Sequence, residues 1–387
     1  MKKLFALGLV IKIIIAAATL HDDLIFAWER PFNNSLNLYQ TNTFYPPLTY
    51  FFFKILQPVY FLIQYVSVLP IKLLLLKTPY LLVDVFILWI LLKTVDQKLK
   101  KNTLILWWFN PVVIYSAYAM GTFDILSASM VVLAILYSKK NTWLSPVYLS
   151  AGAAFKTIPL FLVPASILYL TKNLTSRIKF ASISLLIPLL SGVLMWIVAK
   201  ADVINSYIPR GIAPTKALCG LRPDALWKCS TTGAGVFLYL LLLLLLFIRR
   251  DVFKKVPHVN ILFSAFAFIY ISFPANSMHR YVPLIPLFVI TIVKNNFSKK
   301  WLWIFSACLI FGYLYIFRLE WGLLVPIFPQ TAHFKALREA TAPLVNYENV
   351  AFLLRVMSDI ILIITAVKSL ELADILSLKS RLFSLDK

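Results

Sequence analysis

His21-Asp22-Asp23-Leu24-Ile25-Phe26-Ala27-Trp28-Glu29-Arg30 follows directly on an apolar run that begins at Leu4, and Phe44-Tyr45-Pro46-Pro47-Leu48-Thr49-Tyr50 comes soon after it. The stretch places two adjacent carboxylates, a histidine and an arginine at the mouth of the first hydrophobic segment. The chain has only 16 acidic residues in 387, so a pair at this position calls for a reason.

Composition sets the class. Sixty per cent of the residues are apolar and 15 per cent aromatic, more than a soluble domain of this length can bury. The mean hydropathy is +0.82. Backbone groups in lipid must satisfy one another, so long unbroken apolar runs imply helices rather than barrel strands. The expectation is an all-α polytopic membrane protein, one transmembrane domain over residues 1–387. A net charge of +22 would suggest nucleic acid in a soluble protein. Here the lysines and arginines fall in short clusters between apolar runs, which is a topology signal and a contact with anionic membrane lipids, not a nucleic-acid surface.

Met1-Lys2-Lys3 and the run from Leu4 to Leu20 resemble a signal peptide, and Ala16-Ala17-Ala18-Thr19-Leu20 is a fair cleavage site. An uncleaved first span fits better, because the polytopic pattern continues. Lys2 and Lys3 then lie in the cytoplasm and His21 outside. The positive-inside rule carries the reading forward. Residues 21–70 form a first outer loop with an interfacial helix from Pro46 to about Ser67, and span two runs from Pro79 to Lys93. Span three runs from Thr103 to Met120 and exits at Gly121-Thr122-Phe123-Asp124. Span four returns to Lys139-Lys140, and spans five and six turn outside at Lys156. Further outer loops are expected at 199–232 and 319–348, with an outer turn at Ser277-Met278-His279-Arg280. The walk gives about twelve crossings, both termini inside, in the cytoplasmic or plasma membrane. Cys219 and Cys229 share the 199–232 loop, where a disulfide and two free thiols are equally good readings.

The polar groups have a common address. His21, Asp22, Asp23, Glu29, Arg30, Asp124, Lys156, His279 and Arg280 all fall on the outer side, at helix ends or short turns. Loop residues are often polar for no special reason, and for Glu29, Arg30 and His333 that reading is as good as a functional one. It is weaker for Asp124 and Lys156, each the one charge in a tight turn between apolar arms. Arg355 and Asp359, four apart in the last span, are expected to neutralise each other. Asp84 in span two reads as a structural hydrogen-bonding group or a site residue, the structural role being favoured.

Sugar transfer from a lipid carrier suits this arrangement. An acceptor hydroxyl needs a carboxylate to take its proton, and a leaving phosphate needs cations. The carrier tail stays in the bilayer, so the site belongs where lipid meets water. No cofactor is expected; a divalent metal is allowed, but no His, Cys or Asp spacing requires one.

The motifs also carry a resemblance. The acidic loop after span one and the segment Phe44-Tyr45-Pro46-Pro47-Leu48-Thr49-Tyr50 look like the GT-C superfamily of membrane glycosyltransferases. Asn110-Pro111 with Gly121-Thr122-Phe123-Asp124 is similar to elements of bacterial polyprenyl-phosphate-mannose transferases. Lys156-Thr157-Ile158-Pro159 resembles their Lys-x-x-Pro turn, and His279-Arg280-Tyr281 their late His-containing turn. The likeness covers residues 4 to 290. It implies a polyprenyl-phosphate sugar donor, mannose favoured, and a lipid-linked or cell-envelope glycan acceptor. Asp23 matches the family's loop-one base, with Asp22 as the fallback. Lys156, Arg280, His279, Asp124, Tyr45, His21 and Arg30 would bind donor phosphate and substrate. The chain departs from the family in its small outer loops and in the arginine after His279.

Two other classes compete. A transporter or flippase should place charges near the bilayer midplane and show repeated halves, and the sequence displays little of either. A ligase or polymerase of the O-antigen type should use a late outer loop rich in Arg and His, for which His333, Lys335 and Arg338 are candidates.

Overall fold

A computed structural model describes the backbone of residues 1–29, 46–140, 143–199, 223–272, 278–317 and 347–370. All regular structure among these residues is helical, with no strand, as the lipid argument requires. In order, the helices are α1 (Lys2–Ala18), α2 (Asp22–Glu29), α3 (Pro47–Ile55), α4 (Gln57–Gln64), α5 (Leu69–Thr94), α6 (Lys100–Trp108) and α7 (Pro111–Ile114). A π-helical segment, Tyr115–Met120, follows α7. Next come α8 (Asp124–Lys140), α9 (Leu144–Phe155), α10 (Leu162–Leu170), α11 (Leu174–Ala199), α12 (Pro223–Ile248) and α13 (Arg250–Phe253). The series closes with α14 (His258–Ser272), α15 (Ile285–Lys294), α16 (Lys300–Phe317) and α17 (Tyr347–Ser369).

The centre of the bundle is α14, all 15 of whose residues are buried. It packs against α10, α12, α15 and α17. A second layer pairs α8 with α9, and α5 lies against both α1 and α8. On the outside, α11 exposes Leu186, Leu189, Leu190, Val193, Trp196 and Ile197, an apolar face that suits lipid.

Among the described residues, three segments are long and apolar enough to cross a membrane: Leu69–Thr94, Leu174–Ile197 and Val350–Ser369. A fourth is a pair, Gln97–Trp108 with Pro111–Met120, bent by 44°. The other apolar stretches with described side chains run 10 to 17 residues and rise about 15–25 Å at 1.5 Å per residue, less than a hydrocarbon core of roughly 30 Å, although α12 as a whole is 26 residues long and α16 is 18. Length and composition thus mark three or four crossings among the described residues.

Two expected segments are corrected. Span two does not begin at Pro79: α5 starts at Leu69 and continues through Pro79. The two lysines in the added stretch are accommodated: Lys77 is buried and hydrogen-bonded inside the bundle, while Lys72 reaches Gln64 on α4 at 2.7 Å. Span three is broken at Asn110-Pro111. Proline cannot donate to the helical ladder, and the Asn110 carboxamide supplies a new start, accepting from the backbone N–H of Val112 at 3.0 Å and of Val113 at 3.3 Å. The Asn110 amide donates to Ser306 Oγ at 3.2 Å, pinning the break to α16. The expected single interfacial helix from Pro46 to about Ser67 is instead two short helices, α3 and α4, with Ile55, Leu62 and Tyr65 exposed. Arg30, Tyr45, Cys219, His333, Lys335 and Arg338 lie outside the described residues, as do the greater parts of 199–232 and 319–348. Cys308 is a free, buried cysteine in α16.

Candidate functional site

Four turns far apart in sequence bring charge to one end of the bundle. The first is the start of α2. His21 precedes it, and its Nδ1 accepts the backbone N–H of Asp23 at 3.0 Å, which caps the helix with an imidazole. A ring nitrogen that accepts an amide proton carries none of its own, so the 3.7 Å approach of Asp23 Oδ2 to the same atom is not an ion pair in this arrangement. The Asp23 carboxylate is therefore not neutralised by His21, and its side chain is 35% exposed. Asp22 is the first residue of α2, and its side chain is outside the described set.

The second turn ends the π-helical segment at Gly121, whose φ of +72° is the left-handed conformation that glycine adopts without a Cβ penalty. A Cβ there would meet Leu24 Cδ1 at 2.8 Å, so the missing side chain also lets α2 sit directly on this turn. Thr122 closes it, donating its N–H at 2.9 Å and its hydroxyl at 3.1 Å to Ser116 O. Asp124 then opens α8, where a carboxylate meets the positive end of the helix dipole.

The third turn is the end of α9. Lys156 follows Phe155 directly, at the negative end of that dipole, and its ammonium donates to the Asp124 carboxylate. Asp124 is 1% exposed and the Lys156 side chain 16%. Thr49 of the Tyr-Pro-Pro-Leu-Thr segment donates its hydroxyl to Phe155 O at 3.0 Å, and this ties α3 to the Lys156 turn. The aromatic residues complete the tie: Trp28 lies across Phe53 and Tyr60, and Phe53 packs edge-on to Phe123.

The fourth turn is a short 3-10 turn, Met278–Tyr281. Tyr270 of α14 donates its hydroxyl to Arg280 O. Tyr281 stacks on Tyr270 with ring centroids 4.6 Å apart. Arg355 of α17 grips both, donating to the Tyr281 hydroxyl and, at 2.9 Å, to Tyr270 O. The same guanidinium pairs with Asp359 at 3.1 Å, so the expected 355–359 neutralisation is present, with a clamp on this turn added to it. His279 and Arg280 are held at the backbone while the Arg280 side chain stays exposed.

The charges feel one another. Lys156, Arg280 and Asp23 all act electrostatically on Asp124, and Asp124, Arg280 and Asp23 on Lys156. Burial pushes the Lys156 ammonium below its usual range, Asp124 opposes that shift, and Arg280 adds to it. Burial, then Lys156, Arg280 and His21, hold the His279 imidazole well below the ordinary histidine value, so it is neutral near pH 7. Lys156 is largely matched by Asp124. Arg280 has no ion-pair partner among the described residues. The arrangement joins a partly exposed carboxylate to a cationic edge, and can take a proton and hold an anion side by side. No group of three or more potential metal ligands occurs among the described residues.

The sequence reading passed over two lysines. Lys12 lies within α1, fully buried, with its ammonium 2.5 Å from Asp84 Oδ2 and 3.3 Å from the centre of the Trp108 ring. Asp84 also accepts from Trp107 Nε1 at 2.7 Å and Tyr118 OH at 2.5 Å. This bears out the structural reading of Asp84, and it corrects the view that the spans hold little charge. Lys77 is the other. A lysine inside an apolar run reads as a flank unless its partner is known, and both partners lie on other helices. No protein-family model, curated protein or solved structure matches this chain.

Proposed function

We propose that the chain is a membrane glycosyltransferase that moves a sugar, mannose favoured, from a polyprenyl-phosphate carrier to a lipid-linked or envelope glycan acceptor. The observation that carries this reading is the meeting of Asp23 with Asp124, Lys156, His279 and Arg280 at the lipid-exposed bundle's polar end. Asp23 would take the proton of the acceptor hydroxyl as it attacks the anomeric carbon, because its carboxylate is partly open and unneutralised. Arg280, joined by Lys156, would hold the departing phosphate in a site of low dielectric. His279, neutral and beside both cations, suits a hydrogen bond to a phosphate oxygen. In this reading the chain makes about twelve crossings, the shorter helices being partly inserted or met by local thinning of the bilayer, and the site faces away from the cytoplasm.

A transporter is the second reading, and the buried Lys12–Asp84 pair favours it. Against it, Asp84 is fully buried and already accepts from Lys12, Trp107 and Tyr118, so a cargo would have to displace one of them. Supplying membranes with radiolabelled polyprenyl-phosphate-mannose and polyprenyl-phosphate-glucose separates the two. Label appearing in a glycan or glycolipid, and lost with Asp23→Asn, is the expected result. Label that only changes membrane side, or is taken only from a nucleotide sugar, removes the reading.

A further inference from the structure

The hydrogen bonds around Lys77 play no part in the chemistry above. Lys77 is 1% exposed, and the three protons of its ammonium are shared among four acceptors: Thr19 O at 2.6 Å, Thr19 Oγ1 at 3.0 Å, Ala16 O at 3.2 Å and Ala119 O at 3.4 Å. All four acceptors are neutral oxygens. They belong to the ends of α1 and of the Tyr115–Met120 segment, two helix C-termini that finish side by side inside the bundle. A helix end leaves carbonyls without intrahelical donors, and buried carbonyls without donors are costly where water is absent. One ammonium on a four-carbon stem, reaching in from α5, satisfies both ends at once. Thr19 extends the knot, its hydroxyl lying 2.6 Å from Ile15 O and 3.1 Å from Tyr118 O.

The two tied ends lead straight to the site. Thr19 lies four residues before Asp23, and Ala119 five before Asp124. We propose that Lys77 is a positioning residue, which fixes the ends of α1 and of the π-helical segment against each other so that the next turn of each brings its carboxylate to the same place. The helical elements themselves are made by their own apolar packing. What Lys77 adds is the relative placement of α2 and the Asp124–Lys156 turn. Its consequence for catalysis rests on the glycosyltransferase reading, but the placement can be measured without it.

Spin labels at Glu29→Cys and Thr157→Cys, on the full chain in lipid nanodiscs, report the distance between the end of α2 and the Lys156 turn. The native lysine should give one narrow distance distribution. Lys77→Met, of similar length without donors, should broaden or shift it, and Lys77→Arg, which keeps the donors, should restore most of it. In sugar transfer, Lys77→Met should lower kcat by about tenfold to a hundredfold with KM for the donor nearly unchanged, as for a misplaced catalytic group. If Lys77→Met fails to fold, Lys77→Gln, which keeps an amide donor, should fold with an intermediate distribution. A narrow, unshifted distribution in folded Lys77→Met or Lys77→Gln protein overturns the proposal. If the unsubstituted protein transfers no sugar, the functional reading fails, while the distance measurement still decides the role of Lys77.

Discussion

Asp23 and Asp124 differ in what their surroundings allow. Asp124 is committed to Lys156, whereas the Asp23 side chain is 35% exposed and its histidine neighbour is occupied by a backbone amide. Asp23→Asn should therefore reduce transfer by about 10²–10⁴-fold while expression and donor-lipid binding persist, and Asp22→Asn should be milder. The check is initial-rate transfer beside a donor pull-down; a fully active Asp23→Asn removes the base assignment. Arg280→Ala should cost on the order of a hundredfold in kcat, as for other lost partners of transition-state charge. A pH effect belongs to the same scale. His279 titrates in the folded protein well below its ordinary value of 6.5. The unfolded chain thus binds the proton more readily, so stability is fully present above about pH 6.5 and is lost as pH falls below it. Thermal unfolding in detergent should move to lower temperature between pH 7 and pH 5, and His279→Gln should flatten that slope.

Each turn at the site owes its shape to the element that enters it. At Gly121 the backbone is left-handed and Leu24 fills the space where a side chain would be. Gly121→Ala should cost about 1–3 kcal/mol from backbone strain, with α2 also pushed away from the turn. Its signature in a thermal-shift assay with parallel kinetics would be a lower midpoint and a lower kcat together. The Asn110-Pro111 break is similar in kind. The Asn110 side chain is spent on capping α7 and holding Ser306, so what it shapes is the bend itself. Arg355 shows the converse. As half of an i, i+4 pair it reads as neutralised, yet it also binds Tyr281 and Tyr270 and thereby orients the His279–Arg280 turn from the last helix.

For the whole molecule, the Lys12–Asp84 pair ties α1, α5, α6 and the π-helical segment around one buried carboxylate. Removing one member leaves a charge without its partner in an apolar interior. Lys12→Met should cost about 3–5 kcal/mol, and adding Asp84→Asn should recover part of it, because paired charges lost together leave no orphan. Denaturation in mixed micelles measures both; equal loss in the single and the double variants would mean the pair does not act as a unit. Sidedness is tested at this scale as well. A cysteine from Asn34→Cys should react with an impermeant maleimide added outside, and one from Lys254→Cys should not. The opposite pattern would put the site in the cytoplasm and remove the case for a polyprenyl donor.

The sequence by itself determined that this chain is helical, with helices long and apolar enough to span a membrane, because 60 per cent apolar residues in long runs call for helices that satisfy their own backbone. It also picked out Asp23, Asp124, Lys156, His279 and Arg280, since charge beside an apolar run is scarce and so stands out. Only the tertiary structure decided which of those groups are already matched. That depends on a hydrogen bond from Lys156 to a carboxylate 32 residues away and on an imidazole turned to cap its own helix. The extent of α5 and the break in span three were hidden for the same reason. A lysine inside an apolar run, such as Lys12 or Lys77, looks like a boundary until helices distant in sequence supply its acceptors. Periodicity and charge counts describe one segment at a time, and the free energy of a buried charge is set by the segments packed against it.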